Sequence, residues 1–198
     1  MKSFAIIPAA GQSTRMGRPK LLLPWRSTTV IEALISAWQQ SRVQEVILIA
    51  RPDDQRLIKQ VSKKDVHLVI PDEAPADMKA SVRLGLHFIQ AVFSPHDEDA
   101  WLLAPADLPT LAPEIIDMLL LQHATHKTSI LQPTFRQQNG HPVLFPWPLA
   151  YEVNRLTEEE GVNALTHRFA TTTIPCNEAS ILDDLDTPAD YQRLKNRR

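Results

Sequence analysis

Residues 4–20 read FAIIPAAGQSTRMGRPK, an apolar run followed by a loop of small and basic residues. The apolar run predicts a buried strand, because consecutive apolar residues suit a strand that is covered on both faces. The loop contains Gly11 and Gly17 together with Arg15, and it ends at Lys20. In open α/β sheets, ligands bind at the carboxyl ends of the strands. This stretch therefore predicts the first strand of such a sheet and one wall of its ligand site.

The same strand signature recurs along the chain and alternates with helical patterns. Strands are predicted at 4–8, 43–50, 66–70 and 101–104, and helices from Thr29 onward and at 53–62, 79–93 and 113–124. This alternation predicts a Rossmann-like, three-layer α/β/α fold with a mostly parallel sheet. After about residue 128, strands at 129–133, 142–145 and 172–175 mix with helices near 148–155 and 162–169, and a last helix begins at Pro188. We expect residues 1–198 to form a single domain with an elaborated C-terminal part.

Composition excludes several functional classes. Twenty-one Lys and Arg against 23 Asp and Glu give a net charge of −2, without the basic excess of a nucleic-acid-binding protein. The single cysteine, Cys176, cannot form an internal disulfide, which suits a reducing compartment. The apolar run at the start is too short for a signal peptide, and no window reaches the roughly 18 apolar residues of a membrane span. We expect a cytoplasmic protein with neither a nucleic-acid nor a membrane partner.

Glycine is scarce, with 5 residues against 16 prolines. A chain that uses glycine so sparingly is expected to keep it for positions where only glycine fits the backbone. These positions are Gly11, Gly17, Gly85, Gly140 and Gly161. For Gly85 two interpretations are open: a place beside a ligand, or close packing of a helix on the sheet.

The loop after the first strand is suited to an anion. Its spacing is neither that of a Walker A loop nor that of a dinucleotide fingerprint. A turn of small residues presents backbone N–H groups to an anion. Arg15 can bind phosphate oxygens bidentately, and Lys20 can place a point charge on them. The alternative is a solvated basic loop that uses its glycines only for the turn.

Two aspartates lie at positions that suit a metal ion, one after a predicted strand and one before a predicted helix. Asp107 comes after the strand at 101–104, and Asp186 lies just before the last helix. Mg²⁺ prefers oxygen ligands and is commonly held by one or two carboxylates plus substrate phosphates. Asp107 can instead start a turn before Pro109, and Asp186 or Thr187 can cap the helix.

The string A-A-G-x-S-x-R-M-G-x-x-K at 9–20, followed by Leu21-Leu22-Leu23-Pro24, resembles the GT-A-like (MobA-like) NTP transferases. The continuation to Trp25 resembles their molybdenum cofactor cytidylyltransferase branch. The resemblance implies that Arg15 and Lys20 contact the phosphates of a nucleoside triphosphate. The nucleotide-binding residues that it implies are Ala9, Ala10, Gly11, Ser13, Arg15, Lys20, Asp72 and Ser81.

Further family motifs match with small departures. Ala-Asp-Leu-Pro at 106–109 resembles a Gly-Asp-Met-Pro motif, and Asp-Leu-Asp-Thr-Pro at 184–188 resembles the motif before the final helix. The resemblance implies that Asp107 and Asp186 bind Mg²⁺, with Asp184 as a further candidate. Asp77 stands where a glycine is typical, which leaves the path of that loop and the base preference open. The Gly-His-Pro motif at 140–142 makes His141 a candidate for contact with the acceptor.

The reaction that the resemblance implies is Mg²⁺-dependent transfer of CMP from CTP to the terminal phosphate of molybdopterin or molybdenum cofactor, with release of pyrophosphate. Arg15, Lys20 and Asp107 would be its catalytic residues, and a molybdoenzyme could be a client. The alternatives are a guanylyltransferase for the same cofactor and a transferase that acts on a sugar or alcohol phosphate. A hypothesis of a different functional class is that the protein is a non-catalytic chaperone, which inserts the cofactor into a molybdoenzyme.

Overall fold

The predicted first strand lies in the middle of a mixed sheet. The structure is a computed structural model that describes residues 1–197. Its strands are β1 (Ser3–Pro8), β2 (Pro24–Trp25), β3 (Thr28–Thr29), β4 (Glu45–Ile49), β5 (His67–Val69), β6 (Ala100–Leu103), β7 (Ile130–Phe135), β8 (Gln138–Asn139), β9 (Val143–Pro146) and β10 (Thr171–Pro175). Its α-helices are α1 (Val30–Gln40), α2 (Gln55–Val61), α3 (Met78–Phe93), α4 (Pro113–His123), α5 (Ala150–Val153), α6 (Ala164–Arg168) and α7 (Pro188–Lys195).

The main sheet has eight strands, in the order β10-β7-β9-β6-β1-β4-β5, with β8 beside β7. β1 is parallel to both of its neighbours, β4 and β6, and β5 is parallel to β4. β9 runs antiparallel between β6 and β7, and β10 is parallel to β7. The predicted mostly parallel sheet is confirmed, and the antiparallel β9 is the point at which the second half of the chain departs from simple alternation.

Alternate residues of β1 face two different cores. Phe4 and Ile6 pack in one cluster with Val82 of α3, whereas Ala5 and Ile7 belong to a second cluster with α1 and α4. Successive side chains of a strand point to opposite faces, so the uninterrupted apolar run covers both faces at once. The three-layer α/β/α arrangement follows directly from that run.

Two basic side chains of α3 bind the backbone of the segment that follows α5. Lys79 is only 5% exposed, and its ammonium donates to three carbonyl groups, while Arg83, one turn later, donates to three more. The carbonyl groups are those of Val153, Asn154, Leu156, Thr157, Glu158 and Glu160. We call residues 153–160 the carbonyl segment. These bonds attach an irregular segment, which has few backbone bonds of its own, to a rigid helix.

The predicted helix from Thr29 onward begins with a capping box. The Thr29 hydroxyl oxygen accepts from the backbone N–H of Glu32, and the Glu32 carboxylate accepts from the backbone N–H of Thr29. Lys64 also donates to this carboxylate at 2.7 Å. The bond from Lys64, and those from Thr28 and Thr29, lower the pKa of Glu32 from 4.5 to about 2. The start of α1 is therefore stabilised by a carboxylate that resists protonation.

Glu32→Gln is expected to remove part of the acid sensitivity of folding. A carboxyl group whose pKa is lowered in the folded state stabilises it above the unfolded pKa, and this contribution is lost as pH falls through the folded pKa. The wild type should therefore exceed Glu32→Gln in free energy of unfolding by about 1–2 kcal/mol at pH 6. The difference should shrink steadily between pH 4.5 and about 2. Urea titrations across this range measure it, and a difference that is independent of pH would contradict the assignment.

The hairpin β2–β3 was not predicted from the sequence, because each of its strands has only two residues. It connects the basic loop to α1, and the Tyr191 hydroxyl of α7 donates to the carbonyl oxygen of Pro24 in β2. The hairpin and α7, which are far apart in the sequence, are therefore in direct contact. Within residues 1–197, no helix is both long enough and apolar enough to cross a bilayer.

Candidate active site

The carboxyl ends of β6, β1 and β4 open onto a cleft of about 290 Å³. Its walls come from four segments: the loop after β1, the turn after β6, the residue Arg51 beyond β4, and the segment that leads into α3. Ala9, Ala10, Gly11, Ser13, Lys20, Ser81 and Asp107 are the predicted site residues that line it. The cleft therefore lies at the edge of the sheet where the sequence predicts the ligand site.

The loop after β1 presents unused donors to the cleft. The backbone N–H of Ala9 donates to the carbonyl oxygen of Ile49 at 2.9 Å and so belongs to the sheet. The N–H groups of Ala10, Gly11 and Gln12 make no hydrogen bond to another residue among 1–197. Consecutive free N–H groups in a turn form a concave site for an anion or for the polar edge of a ligand.

Only one of the two glycines in this loop is required by the backbone. Gly17 has φ +68°, a left-handed conformation that side chains disfavour, and its N–H closes the short helical turn 14–16. A Cβ on Gly11 would meet no protein atom within 4 Å. The prediction that only glycine fits is therefore wrong for Gly11 as far as the protein alone is concerned. A glycine here leaves open the space in which a ligand would approach the backbone.

Two of the other three glycines, Gly85 and Gly140, serve packing. A Cβ on Gly85 would lie 3.1 Å from side-chain atoms of Ile6 and Ile49, so α3 packs closely on the sheet. A Cβ on Gly140 would lie 2.5 Å from the carbonyl oxygen of Ile181. The packing interpretation of Gly85 is thus the one that the structure favours.

Four charged side chains meet at the β6 end of the cleft. The Lys20 ammonium donates to Asp107 Oδ2 and, at 3.1 Å, to Asp186 Oδ1. Arg15 lies with a guanidinium nitrogen 2.8 Å from Asp186 Oδ2. Burial alone would lower the pKa of Lys20, but the negative charges and hydrogen bonds of Asp107 and Asp186 raise it overall. Lys20 therefore remains protonated and holds the two carboxylates together.

The two aspartates reach this point from distant parts of the chain. Asp107 follows β6, and its carbonyl oxygen accepts from the backbone N–H of Leu185, which fixes the segment that carries Asp186. Thr187 caps α7 through a capping box with Asp190, so the capping role belongs to Thr187 and leaves Asp186 free to face Lys20. Of the two capping candidates, Thr187 is therefore the cap of α7 and Asp186 is not.

A divalent cation fits the residues present. Asp107 Oδ1 is buried and has no hydrogen-bond partner among residues 1–197, so a lone pair is available beside the cleft. Asp184 is the neighbouring carboxyl: partial burial, then the charges of Asp107 and Asp186, raise its pKa to about 6. In the described part of the chain no three His, Cys, Asp or Glu side chains are grouped so as to hold a metal by themselves. A cation here would need further ligands from a bound phosphate, as Mg²⁺ commonly does.

The remaining predicted residues are distributed differently. Burial lowers the pKa of the His141 imidazole. The negative charge of nearby Asp107 acts in the opposite direction, but its effect on the pKa is smaller. His141 Nδ1 has no partner within residues 1–197. Asp72 is exposed and is not among the residues that line the cleft. Asp77, where the family has a glycine, caps α3 by accepting from the N–H of Ala80 at 2.6 Å.

Arg51 lines the cleft but was not singled out from the sequence. It comes just beyond β4, so the rule that ligand-binding residues follow strands would have found it. Arg51 belongs to no recognised motif, and the residues that follow it, Pro52 to Asp54, are typical of an ordinary turn. Lys79 was also missed, since a lysine in a helix pattern predicts an exposed side chain.

Residues 5–173 match the family described as the MobA-like NTP transferase domain. The chain belongs to this family. The match confirms the resemblance drawn from the motifs, and it makes the chain a member of a nucleotidyltransferase family with a GT-A-like fold.

Relatives with curated names carry two different activities. A probable molybdenum cofactor guanylyltransferase from Bacillus mycoides (strain KBAB4) is 27% identical over 130 residues, which cover 66% of this chain and 61% of that protein. The chain thus spans about three-fifths of the guanylyltransferase relatives it matches. The molybdenum cofactor cytidylyltransferase of Escherichia coli (strain K12) is 21% identical over 192 residues, 97% of this chain and 95% of that protein.

Solved structures share the whole fold. Rv0371c from Mycobacterium tuberculosis H37Rv superposes with a TM-score of 0.80 at 28% identity, with 100% of both chains covered. A structure of Rv0371c in complex with manganese gives a TM-score of 0.80 at 26% identity. A 4-diphosphocytidyl-2C-methyl-D-erythritol synthase, at 20% identity and a TM-score of 0.76, shares the fold alone.

Proposed function

We propose that this protein is a Mg²⁺-dependent nucleotidyltransferase that joins CMP from CTP to the terminal phosphate of molybdopterin or molybdenum cofactor and releases pyrophosphate. The observation that carries the proposal is the meeting of Lys20, Arg15, Asp107 and Asp186 beside a cleft whose floor holds free backbone N–H groups. Cations for phosphates, carboxylates for a divalent metal and donors for a nucleotide are thereby brought to one edge of the sheet.

The chemistry requires positioning and charge neutralisation rather than a protein base. An oxygen of the acceptor phosphate attacks the α-phosphorus, a new phosphoanhydride bond forms, and the bond between the α-phosphorus and the bridging oxygen to the β-phosphate breaks. The acceptor phosphate is already ionised at neutral pH, so no proton has to be removed. Pyrophosphate leaves with the electron pair of the broken bond.

The charged residues would change partners when the nucleotide binds. Lys20 and Arg15 are neutralised here by Asp107 and Asp186. A triphosphate competes for these two cations, and its arrival would leave the carboxylates free to hold Mg²⁺ with Asp107 Oδ1 as one ligand. Bound there, Mg²⁺ would supply Lewis-acid stabilisation of charge on the α-phosphate and on pyrophosphate. Lys20 and Arg15 would stabilise the leaving pyrophosphate, as fixed cations do in phosphoryl transfer.

His141 is the residue that we assign to the acceptor end. His141 lies near Asp107, its Nδ1 has no hydrogen-bond partner within the described range 1–197, and burial lowers the pKa of the imidazole and so favours its neutral form. A neutral imidazole can donate or accept one hydrogen bond to the acceptor without adding charge. The sequence Ala-Ala-Gly at 9–11, together with the E. coli cytidylyltransferase match over 97% of this chain, supports CTP.

Pyrophosphate release measured with each of the four NTPs, with and without molybdopterin, tests the proposal. We expect release that requires molybdopterin, is fastest with CTP, and stops when the metal is removed with a chelator and resumes with Mg²⁺. Preference for GTP would establish the guanylyltransferase alternative, which the names of several relatives favour. Release that ignores molybdopterin but responds to a sugar or alcohol phosphate would contradict the acceptor. A tight molybdopterin complex without turnover of any NTP would indicate a cofactor chaperone.

A further inference from the structure

Arg51 stands where two cavities meet. Its side chain lines the main cleft and also a second cavity of about 190 Å³ on the other side of the loop segment 11–13. The side chain is 20% exposed, so most of its surface is in contact with the protein. No role in the proposed transfer has yet been given to this cation.

The guanidinium of Arg51 is held in one orientation. Its Nε donates to Asp53 Oδ1 at 2.9 Å, and one terminal nitrogen donates to Asp53 Oδ2. The turn itself is fixed, because the N–H of Asp54 donates to the carbonyl oxygen of Arg51 at 3.2 Å and the Asp54 side chain caps α2. The second terminal nitrogen makes no hydrogen bond to any residue from 1 to 197. Asp53 thus occupies the edge formed by Nε and one terminal nitrogen. The adjacent edge has one N–H from each terminal nitrogen, and within residues 1–197 these two parallel N–H groups have no partner.

The sheet order separates Arg51 from the catalytic charges. β1 lies between β6, which leads to Asp107, and β4, which leads to Arg51. Two strand spacings amount to about 10 Å. A nucleotide whose α-phosphate lies at Asp107 and whose base lies beside Arg51 would span this distance along the cleft.

The lining of the cleft near α3 suits a base better than a polyphosphate. The segment 74–78 contributes Ala74, Pro75, Ala76 and Met78, which offer apolar surface to a flat ring. The carboxylate of Asp77 lies on the wall of the main cleft and would repel phosphate oxygens. The phosphates are thus favoured at Lys20 and Arg15, and the base at the opposite end.

Two parallel N–H donors require two adjacent acceptors on the base. Cytosine presents O2 and N3 side by side, and guanine presents O6 and N7 in the same way, the pair that arginine reads bidentately in DNA. Uracil has an N3–H donor between its carbonyl groups, and adenine has an amino donor beside N7. The fork of Arg51 therefore matches cytosine and guanine and mismatches the other two bases.

We propose that Arg51, oriented by Asp53, reads the base of the bound nucleotide and restricts the site to NTPs whose base presents two adjacent hydrogen-bond acceptors, CTP or GTP. The proposal rests on the nucleotidyltransferase function proposed above. It makes Arg51 a specificity residue that contacts the base, whereas Lys20 and Arg15 serve every nucleotide alike.

Binding of CTP, GTP, UTP and ATP, each with Mg²⁺, to the wild type and to Arg51→Gln, Arg51→Lys and Arg56→Gln tests this role by calorimetry. The wild type should bind CTP or GTP at least about 10-fold more tightly than UTP and ATP. Both Arg51 variants should lose this preference while their affinity for UTP and ATP stays unchanged. Arg56 lies exposed on α2 and serves as the matched control, which should keep the wild-type pattern.

Other outcomes overturn the proposal in distinct ways. If Arg51→Gln weakens the binding of all four nucleotides equally and Arg51→Lys restores the wild-type affinities, Arg51 is a phosphate ligand. If the base preference survives in both variants, another group reads the base, while molybdopterin-dependent pyrophosphate release by the wild type keeps the proposed transfer intact. If the wild type binds none of the four nucleotides, the proposed function itself fails, and base reading fails with it. Circular dichroism confirms that each variant is folded.

Discussion

Asp107→Asn is expected to reduce nucleotidyl transfer on the order of 10²–10³-fold, the cost of removing one preorganised electrostatic contact to a developing charge. The carboxylate lies just after β6, with one oxygen bonded to Lys20 and the other buried and without a partner among the residues that the structure describes. Asparagine keeps the size of the side chain but supplies neither the negative charge nor the second anionic oxygen that a divalent cation needs. Steady-state pyrophosphate release at saturating Mg²⁺ measures the loss.

The fold should survive this change. Lys20 keeps its bond to Asp186 at 3.1 Å, and the carbonyl oxygen of Asp107 still accepts from Leu185. Asp117→Asn is the matched control, because Asp117 is paired with Arg42 on the surface of α4, away from the cleft. The control should retain full activity. Full activity of Asp107→Asn itself would contradict the metal assignment.

Lys79→Met should destabilise the folded protein by about 3 kcal/mol, the largest effect that we expect on stability. The ammonium is buried and donates to the carbonyl groups of Thr157, Glu158 and Glu160. Methionine matches the length of the stem, but it leaves these three carbonyl groups without their donor. The desolvation of the lysine charge offsets part of the loss, so the net effect is smaller than the sum of three charge-assisted bonds.

Urea unfolding monitored by circular dichroism measures this difference. Lys59→Met is the control, since Lys59 is exposed on α2, and its replacement should change the free energy of unfolding by about 0.5 kcal/mol or less. Equal stability of Lys79→Met and the wild type would mean that the carbonyl segment satisfies its backbone groups in another way.

The order of elements and most of the site were predictable because their signals are local. The apolar run at 4–8, the capping box at Thr29 and Pro188 at the start of α7 each specify an element through neighbouring residues. The motifs predicted Lys20, Asp107 and Asp186. The neighbouring parallel strands β1 and β6 bring Lys20 and Asp107 together, and the bond from the Leu185 N–H to the Asp107 carbonyl oxygen places Asp186 beside them.

The rest depends on contacts between distant residues. Nothing near Lys79 indicates that its ammonium is buried against the carbonyl segment, 78–81 positions later in the chain. The sequence around Arg51 does not show that Asp53 orients it. Asp72 follows a strand and was implied as a nucleotide-binding residue by the family resemblance, yet the path of the chain after β5 leaves it exposed outside the cleft lining. Local patterns predict elements, whereas such side-chain placements require the assembled fold.

The bond between Lys20 and Asp186 joins residues 166 positions apart. Tyr191, on α7 just beyond Asp186, is bonded to Pro24 in the hairpin that follows Lys20. Closing so long a loop is entropically costly and occurs late, after local structure has formed. During refolding, the circular dichroism signal of the helices and sheet should therefore return before enzymatic activity does. A protease cut between α6 and α7 should abolish activity while leaving the central sheet largely intact.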